Sequence, residues 1–189
     1  MKIVKSSFFS VVLVVSGLCV AQDQAEMMEA WMAASTPGKA HERLAEQAGS
    51  WHAEVEAWME PGAEPTVSES SVEREMSLDG RVLEERWNGT MMGMPFQGYG
   101  RTGYNNVTEA YWSTWTDNMS TGVMMFTGHY DREADEFVFQ GSYVDPLSKE
   151  SIQSRSVVTT PEAGKEMMIM YETHGGEEVR TMRMVLTRQ

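Results

Sequence analysis

Four histidines are the side chains best suited to proton or metal chemistry at neutral pH, and they stand far apart: His41, His52, His129 and His174. A zinc site needs ligands at short, matched spacing, and His41-Glu42 is not followed by a second His four residues after the first. The single cysteine, Cys19, excludes both a disulfide scaffold and a Cys-based zinc site. No Gly-x-Ser-x-Gly elbow marks a nucleophilic serine. Gly98-x-Gly100-x-x-Gly103 has the spacing of a dinucleotide-binding loop, but no helix pattern follows it. These glycines read instead as places where a strand relieves crowding or bends. Haem would have only His129 or His174 as axial ligand, because the last strand pattern offers Met182, Arg183 and Met184. No metal and no cofactor is therefore expected.

What remains is a polar and aromatic set suited to holding a molecule rather than cutting one. Tyr111, Ser113, Trp115 and Asp117 alternate along one face of the run from Glu109 to Asn118. Phe126 belongs to the aromatic set of the next run, and Tyr99 and Met94 complete the candidate lining. Arg86 and Arg155 could supply charge opposite to Asp117. A mostly apolar wall with a few convergent polar groups is the composition of a small-molecule site. The competing local reading is that Tyr and Trp satisfy their own polar ends and that Asp117, beside Asn118, caps a turn. Asp117 with Tyr111 is also the pair that acid-base catalysis would use.

Methionine, at 17 residues, is over-represented. Met91, Met92 and Met94 fall in one connection, and soft thioethers can select Cu(I). The other methionines spread over helix and strand patterns, which favours an adaptable apolar lining.

The elements that must position these residues follow from the turn signals. Gln24 to Ala34 and Lys39 to Ala48 have helical composition, separated by Thr36-Pro37-Gly38. From Trp51 onward the chain is rich in β-branched and aromatic residues. Nine breaks punctuate it: Pro61-Gly62, Asp79-Gly80, Met92 to Pro95, Asn105-Asn106, Asn118 to Gly122, Asp131 to Asp135, Asp145-Pro146, Pro161 to Gly164 and Gly175-Gly176. Asp79-Gly80 is the strongest hairpin signal. No connection is long enough for a crossover helix, so ten strands should pair antiparallel in chain order and close on themselves. The expectation is an all-β, ten-stranded up-and-down barrel over 39–189, preceded by a short helical segment over 22–38.

Three stretches resemble a known family. The first is the short helix running into Gly49-Ser50-Trp51, a Gly-x-Trp placed as in lipocalin-like (calycin) barrels. The second runs from Met91-Met92-Gly93-Met94-Pro95-Phe96-Gln97-Gly98-Tyr99-Gly100 through Gly103 to Thr108, Tyr111, Trp115, Asp117-Asn118-Met119 and Thr121-Gly122. The third is Met170-Tyr171-Glu172-Thr173 with the Arg183 to Arg188 end. Together they are similar to the bacterial DUF1579 family, associated with calycin-type barrels. His174 departs from the pattern, where a small turn residue is expected. The resemblance implies the barrel and no activity. It also implies that a basic residue of the last strand, Arg188 first and Arg183 second, stacks on Trp51 and closes the barrel floor, making Gly49, Trp51 and Arg188 a structural signature.

The N-terminus reads as a secretory signal peptide over 1–21, with Lys2 and Lys5 before the apolar run Phe8 to Val15 and a cut before Gln22. Leu18 before Cys19 argues against a lipoprotein, and the apolar run is short for a membrane span. The whole chain carries 28 acidic and 15 basic residues, net −13. Cleavage would remove Lys2, Lys5 and Cys19 and no acid, leaving a thiol-free chain of net −15. Such charge argues against nucleic-acid binding and against stable membrane insertion once the signal is cut. The expected function is an exported barrel that binds a small apolar or amphipathic molecule without transforming it. A protein-binding barrel with a filled interior is the alternative, and an acid-base enzyme the third reading.

Overall fold

A computed structural model describes residues 15–189, with side chains from Asp23 onward. The expected basic region and most of the expected apolar run lie outside the described residues. The chain divides into two compact units, 1–36 and 37–189.

The first unit holds α1, Val15–Ser35, which extends beyond the expected Gln24–Ala34 at both ends and runs through the expected cut. It stops where the Ser35 and Thr36 hydroxyls donate to the Met32 carbonyl, just before Pro37. Met27, Met28, Trp31 and Met32 share one side of α1 and are exposed. Among the described residues no helix is long and apolar enough to cross a membrane.

The second unit opens with α2, Lys39–Ala45. His41 is buried here and its Nδ1 accepts the Gly38 backbone N–H at 3.1 Å, so this histidine closes a helix start. α2 ends three residues before the expected Ala48. The carbonyls of Glu46, Gln47 and Ala48 are instead taken by Arg188 Nη2 at 2.7 Å, Trp51 Nε1 at 3.0 Å and Arg188 Nη1 at 2.5 Å. Such carbonyls have no partner within a helix and need one from outside.

Ten strands follow: β1 Gly49–Ala57, β2 Thr66–Ser77, β3 Val82–Met91, β4 Met94–Asn105, β5 Ala110–Asp117, β6 Met124–Asp131, β7 Glu136–Val144, β8 Ser151–Glu162, β9 Lys165–His174 and β10 Glu177–Arg188. Each pairs antiparallel with its neighbour in chain order, and β1 pairs with β10 to close the barrel. The expected up-and-down barrel is the fold. Among the described residues closure leaves no edge strand to pair with another chain.

Three turns differ in detail from expectation. In the β2–β3 turn the Gly80 N–H bonds Ser77 O, so Leu78 and Asp79, both with positive φ, are its central residues, one place earlier than Asp79-Gly80. The connection from Met92 to Pro95 is only Met92-Gly93, because Met91 and Met94 already pair. Pro161 lies inside β8 beside a break in register, since proline cannot donate to the ladder.

Inward residues follow the pleat, apart from register shifts between Thr159 and Glu162 and between Arg180 and Met182. One buried cluster joins Trp51, Ala53, Val55, Val72, Trp87, Phe96 and Leu186, and the other joins Leu44 of α2 to Leu83, Tyr111 and Phe137. The second cluster is the barrel's α2 end. There the register sets Trp51 against Arg188, whose guanidinium carbon lies 4.3 Å from the indole centroid. Gly49 has φ 131°, and a Cβ there would meet Arg188 Nη1 at 2.5 Å. Glycine at this position thus leaves room for the Arg188 guanidinium. Arg183, the second choice for Trp51, instead pairs with Glu56 on the outside.

Candidate functional site

The barrel interior holds a cavity of about 260 Å³, lined by residues of both clusters. It runs from Leu44 and Leu186 at the α2 end to Met91, Asp117 and Met124 at the strand ends opposite. Its walls include Trp87, Trp115, Phe96, Phe126, Phe137 and Phe139, and six methionines: Met91, Met124, Met168, Met170, Met182 and Met184. Four of these form a patch, for Met182 pairs with Met170 and Met184 with Met168 across β9 and β10.

The glycines of β4 make this wall possible. Gly98 and Gly100 face inward, and a Cβ at Gly98 would strike the Trp115 ring, while one at Gly100 would strike the Glu85 carboxylate. Trp115 therefore lies across Gly98, stacked on Phe96 at 6.3 Å and edge-on to Trp87 at 5.8 Å. This is a close-approach role, as expected from the missing helix.

The sequence-predicted residues divide by position. Trp115, Asp117 and Phe126 come together on the cavity wall. Asp117 Oδ2 accepts the Trp115 indole N–H at 2.7 Å and Oδ1 accepts the Met119 backbone N–H at 2.9 Å, so it also closes its turn. Tyr111 faces inward but is sealed in the α2-end cluster, its hydroxyl donating to Ala40 O at 3.3 Å. It does not reach Asp117, and the acid-base pair is not assembled. Tyr99 and Arg86 are corrections to the expected facing. They are cross-strand partners on the outer surface, because their neighbours Gly98, Gly100 and Trp87 take the inward positions. Arg86 pairs there with Glu75 at 2.6 Å. Arg155 is likewise outside, on Glu178 at 2.8 Å and over Tyr171. Met94 shares the inward parity but sits at the strand's first residue, exposed beyond the cavity, as does Met92 at the turn; Met91 alone of that trio lines the wall.

A buried charge network went unread in the sequence. Arg74 of β2 donates from Nη1 and Nη2 to the two oxygens of Glu166 on β9, both at 2.9 Å, and from Nε to Glu85 on β3 at 3.0 Å. The Arg74 and Glu166 side chains are only 7% and 4% exposed. Burial opposes the guanidinium charge, but Glu166 and then Glu85 outweigh it and raise its pKa above the ordinary value. Among the described residues no group of three or more His, Cys, Asp or Glu could hold a metal ion.

Tyr143 and Glu172 both face inward, and Glu172 also meets His174 Nε2 at 3.2 Å. Burial first, and then the Glu172 carboxylate, push the Tyr143 phenol up to about 12. Between about pH 10 and about pH 12 the unfolded chain loses this proton and the folded chain keeps it, so stability falls as pH rises through that window. Urea midpoints should drop across the window, and less so in Tyr143→Phe.

Outside the barrel a second cleft of about 520 Å³ lies between α2 and the β4–β5 and β6–β7 turns, with Arg43 stacked 3.7 Å over Tyr130. Its lining divides evenly between polar and apolar surface, whereas that of the interior cavity is mostly apolar.

The family model described as "Protein of unknown function (DUF1579)" matches residues 36–188, which is α2 and the whole barrel. The chain belongs to the DUF1579 family. The match covers the cavity wall, the Arg74 network and the Trp51–Arg188 floor of this DUF1579 barrel alike. A search of curated proteins gives no match.

Proposed function

We propose that this DUF1579 barrel binds a small apolar or amphipathic molecule in its interior and does not transform it. The observation that carries the reading is the cavity of about 260 Å³, just under the usual size of small-molecule pockets, walled mainly by aromatic rings and thioethers and carrying Arg74, Glu85, Glu166, Asp117, Gln47 and the hydroxyls of Ser68, Ser70, Thr102, Ser113 and Ser156. An apolar cavity of about 150 Å³ holds benzene. By proportion this one suits about ten non-hydrogen atoms, so the ligand is smaller than a typical lipid. Six thioethers make the wall deformable and tolerant of ligand shape. Desolvation of the ligand's apolar body supplies the affinity, and Asp117 orients its polar end. Export through an N-terminal signal, with the cut before Gln22, is part of the same proposal and rests on Lys2, Lys5 and the apolar run.

Native mass spectrometry of protein from its own source, followed by organic extraction, should show a bound small molecule. Trp115 and Trp87 on the wall should report added ligand by fluorescence change. Bare polypeptide in repeated preparations, with no response to a panel of short-chain amphiphiles, would sink the proposal.

A further inference from the structure

We infer that the cavity selects a cationic amphiphile, a small amine with an apolar body of about eight carbons, over the matching carboxylate. The inference rests on the ligand-binding reading above and goes further by fixing the sign of the polar end. It comes from the charges that face the cavity. Among the described residues one cation, Arg74, stands among three carboxylates, Glu85, Glu166 and Asp117, and neither lysine nor histidine lines the wall.

The one cation is already engaged. Both outer nitrogens of Arg74 hold Glu166 in a bidentate pair, and Nε holds Glu85. A ligand carboxylate could use this guanidinium only by displacing Glu166 or Glu85, leaving a buried carboxylate unpaired. The carboxylates, in contrast, have capacity left. Glu85 gives Oε2 to Arg74, while its Oε1 lies close to the backbone of Gly100, whose missing side chain leaves that room. Asp117 accepts from Trp115 and Met119 and has no cationic partner among the described residues.

The walls between these acids have the same preference. Trp115, Trp87 and Phe96 line the same cavity as Asp117 and Glu85, and a cation over an aromatic face is attracted by the ring quadrupole. The net charge of −13 adds a long-range pull on cations.

The test compares three eight-carbon probes of nearly equal size on the full chain by calorimetry and tryptophan fluorescence: octylamine, octanol and octanoate. At pH 7 the first is a cation and the last an anion, as lysine and glutamate side chains are. Octylamine should bind at least about tenfold tighter than octanol, the size of one charge-assisted hydrogen bond, and octanoate weakest. In Glu85→Gln/Asp117→Asn the ratio of octylamine to octanol affinity should fall to about one. General damage to the pocket does not move that ratio, and adsorption of amine to the acidic surface does not respond to these two residues. Octanoate binding as tightly as octylamine, or a ratio unchanged in the double variant, overturns the inference while leaving the pocket reading intact. Failure of all three probes to bind overturns both.

Discussion

Arg74→Met is expected to lower the unfolding free energy by about 3 to 5 kcal/mol, read from the urea midpoint, because it strands two carboxylates inside the barrel. Glu166 is 4% exposed on its side chain and takes both its hydrogen bonds from the guanidinium. Methionine fills the stem volume and supplies neither the charge nor the donors. The loss belongs to the stranded acid and not to the pair itself, so Arg74→Met/Glu166→Met should recover most of it. Glu85 tolerates the double change better, being 19% exposed and turned toward the cavity. A loss below about 1 kcal/mol in the single variant would mean that water reaches Glu166 and that the network is not structural. The network joins β2, β3 and β9, so the single variant should also loosen the barrel wall between Gly100 and Leu186.

Most of the barrel was readable because its signals are local. Alternation along β5, β6 and β7 placed Trp115, Asp117 and Phe126 on one surface, and Gly or Asp-Pro pairs marked the turns. Parity also held the answer for Tyr99 and Arg86. Glycines at 98 and 100 and tryptophan at 87 mark the inward positions, which sends the residues between them outward. Met94 shows the limit of parity, since a residue at a strand end can have the inward phase and still lie past the enclosed space. Pro161 shows another limit, for a residue that marks a break in sequence can be absorbed by a bulge.

The Arg74 network was not legible, and the reason is physical. The inward set of β2 is Ser68, Ser70, Val72 and Arg74, so its core face looks polar and gives no apolar period. Arg74 meets Glu166 across 92 positions of chain, and only the register of the closed barrel brings them together. The composition points the wrong way as well. In a chain with 28 acidic residues, each single Glu reads as solvated surface. The dispersed methionines read as an adaptable apolar lining, and six of them line the cavity, but the patch of Met168, Met170, Met182 and Met184 has no local signature because it forms only when β9 pairs with β10.

Trp51→Ala is the second large effect, expected at about 3 to 5 kcal/mol from the cavity left behind. The indole is 4% exposed, packs with Val72, Ala53 and Leu186, and lies outside the cavity lining. Two further functions go with it. Its N–H satisfies Gln47 O at the end of α2, and its ring carries the Arg188 guanidinium at 4.3 Å. Trp51→Phe keeps a ring and loses the hydrogen bond, so the difference between the Phe and Ala variants isolates packing from capping. A double-mutant cycle with Arg188→Met should give a coupling of about 0.5 to 1 kcal/mol, the range for a cation on a ring at an exposed site. Trp51→Ala should leave the preference between octylamine and octanol unchanged in whatever fraction stays folded, because Trp51 closes the floor and does not face the ligand. A variant that keeps its urea midpoint but loses probe binding would place Trp51 in the pocket and overturn its role as the floor.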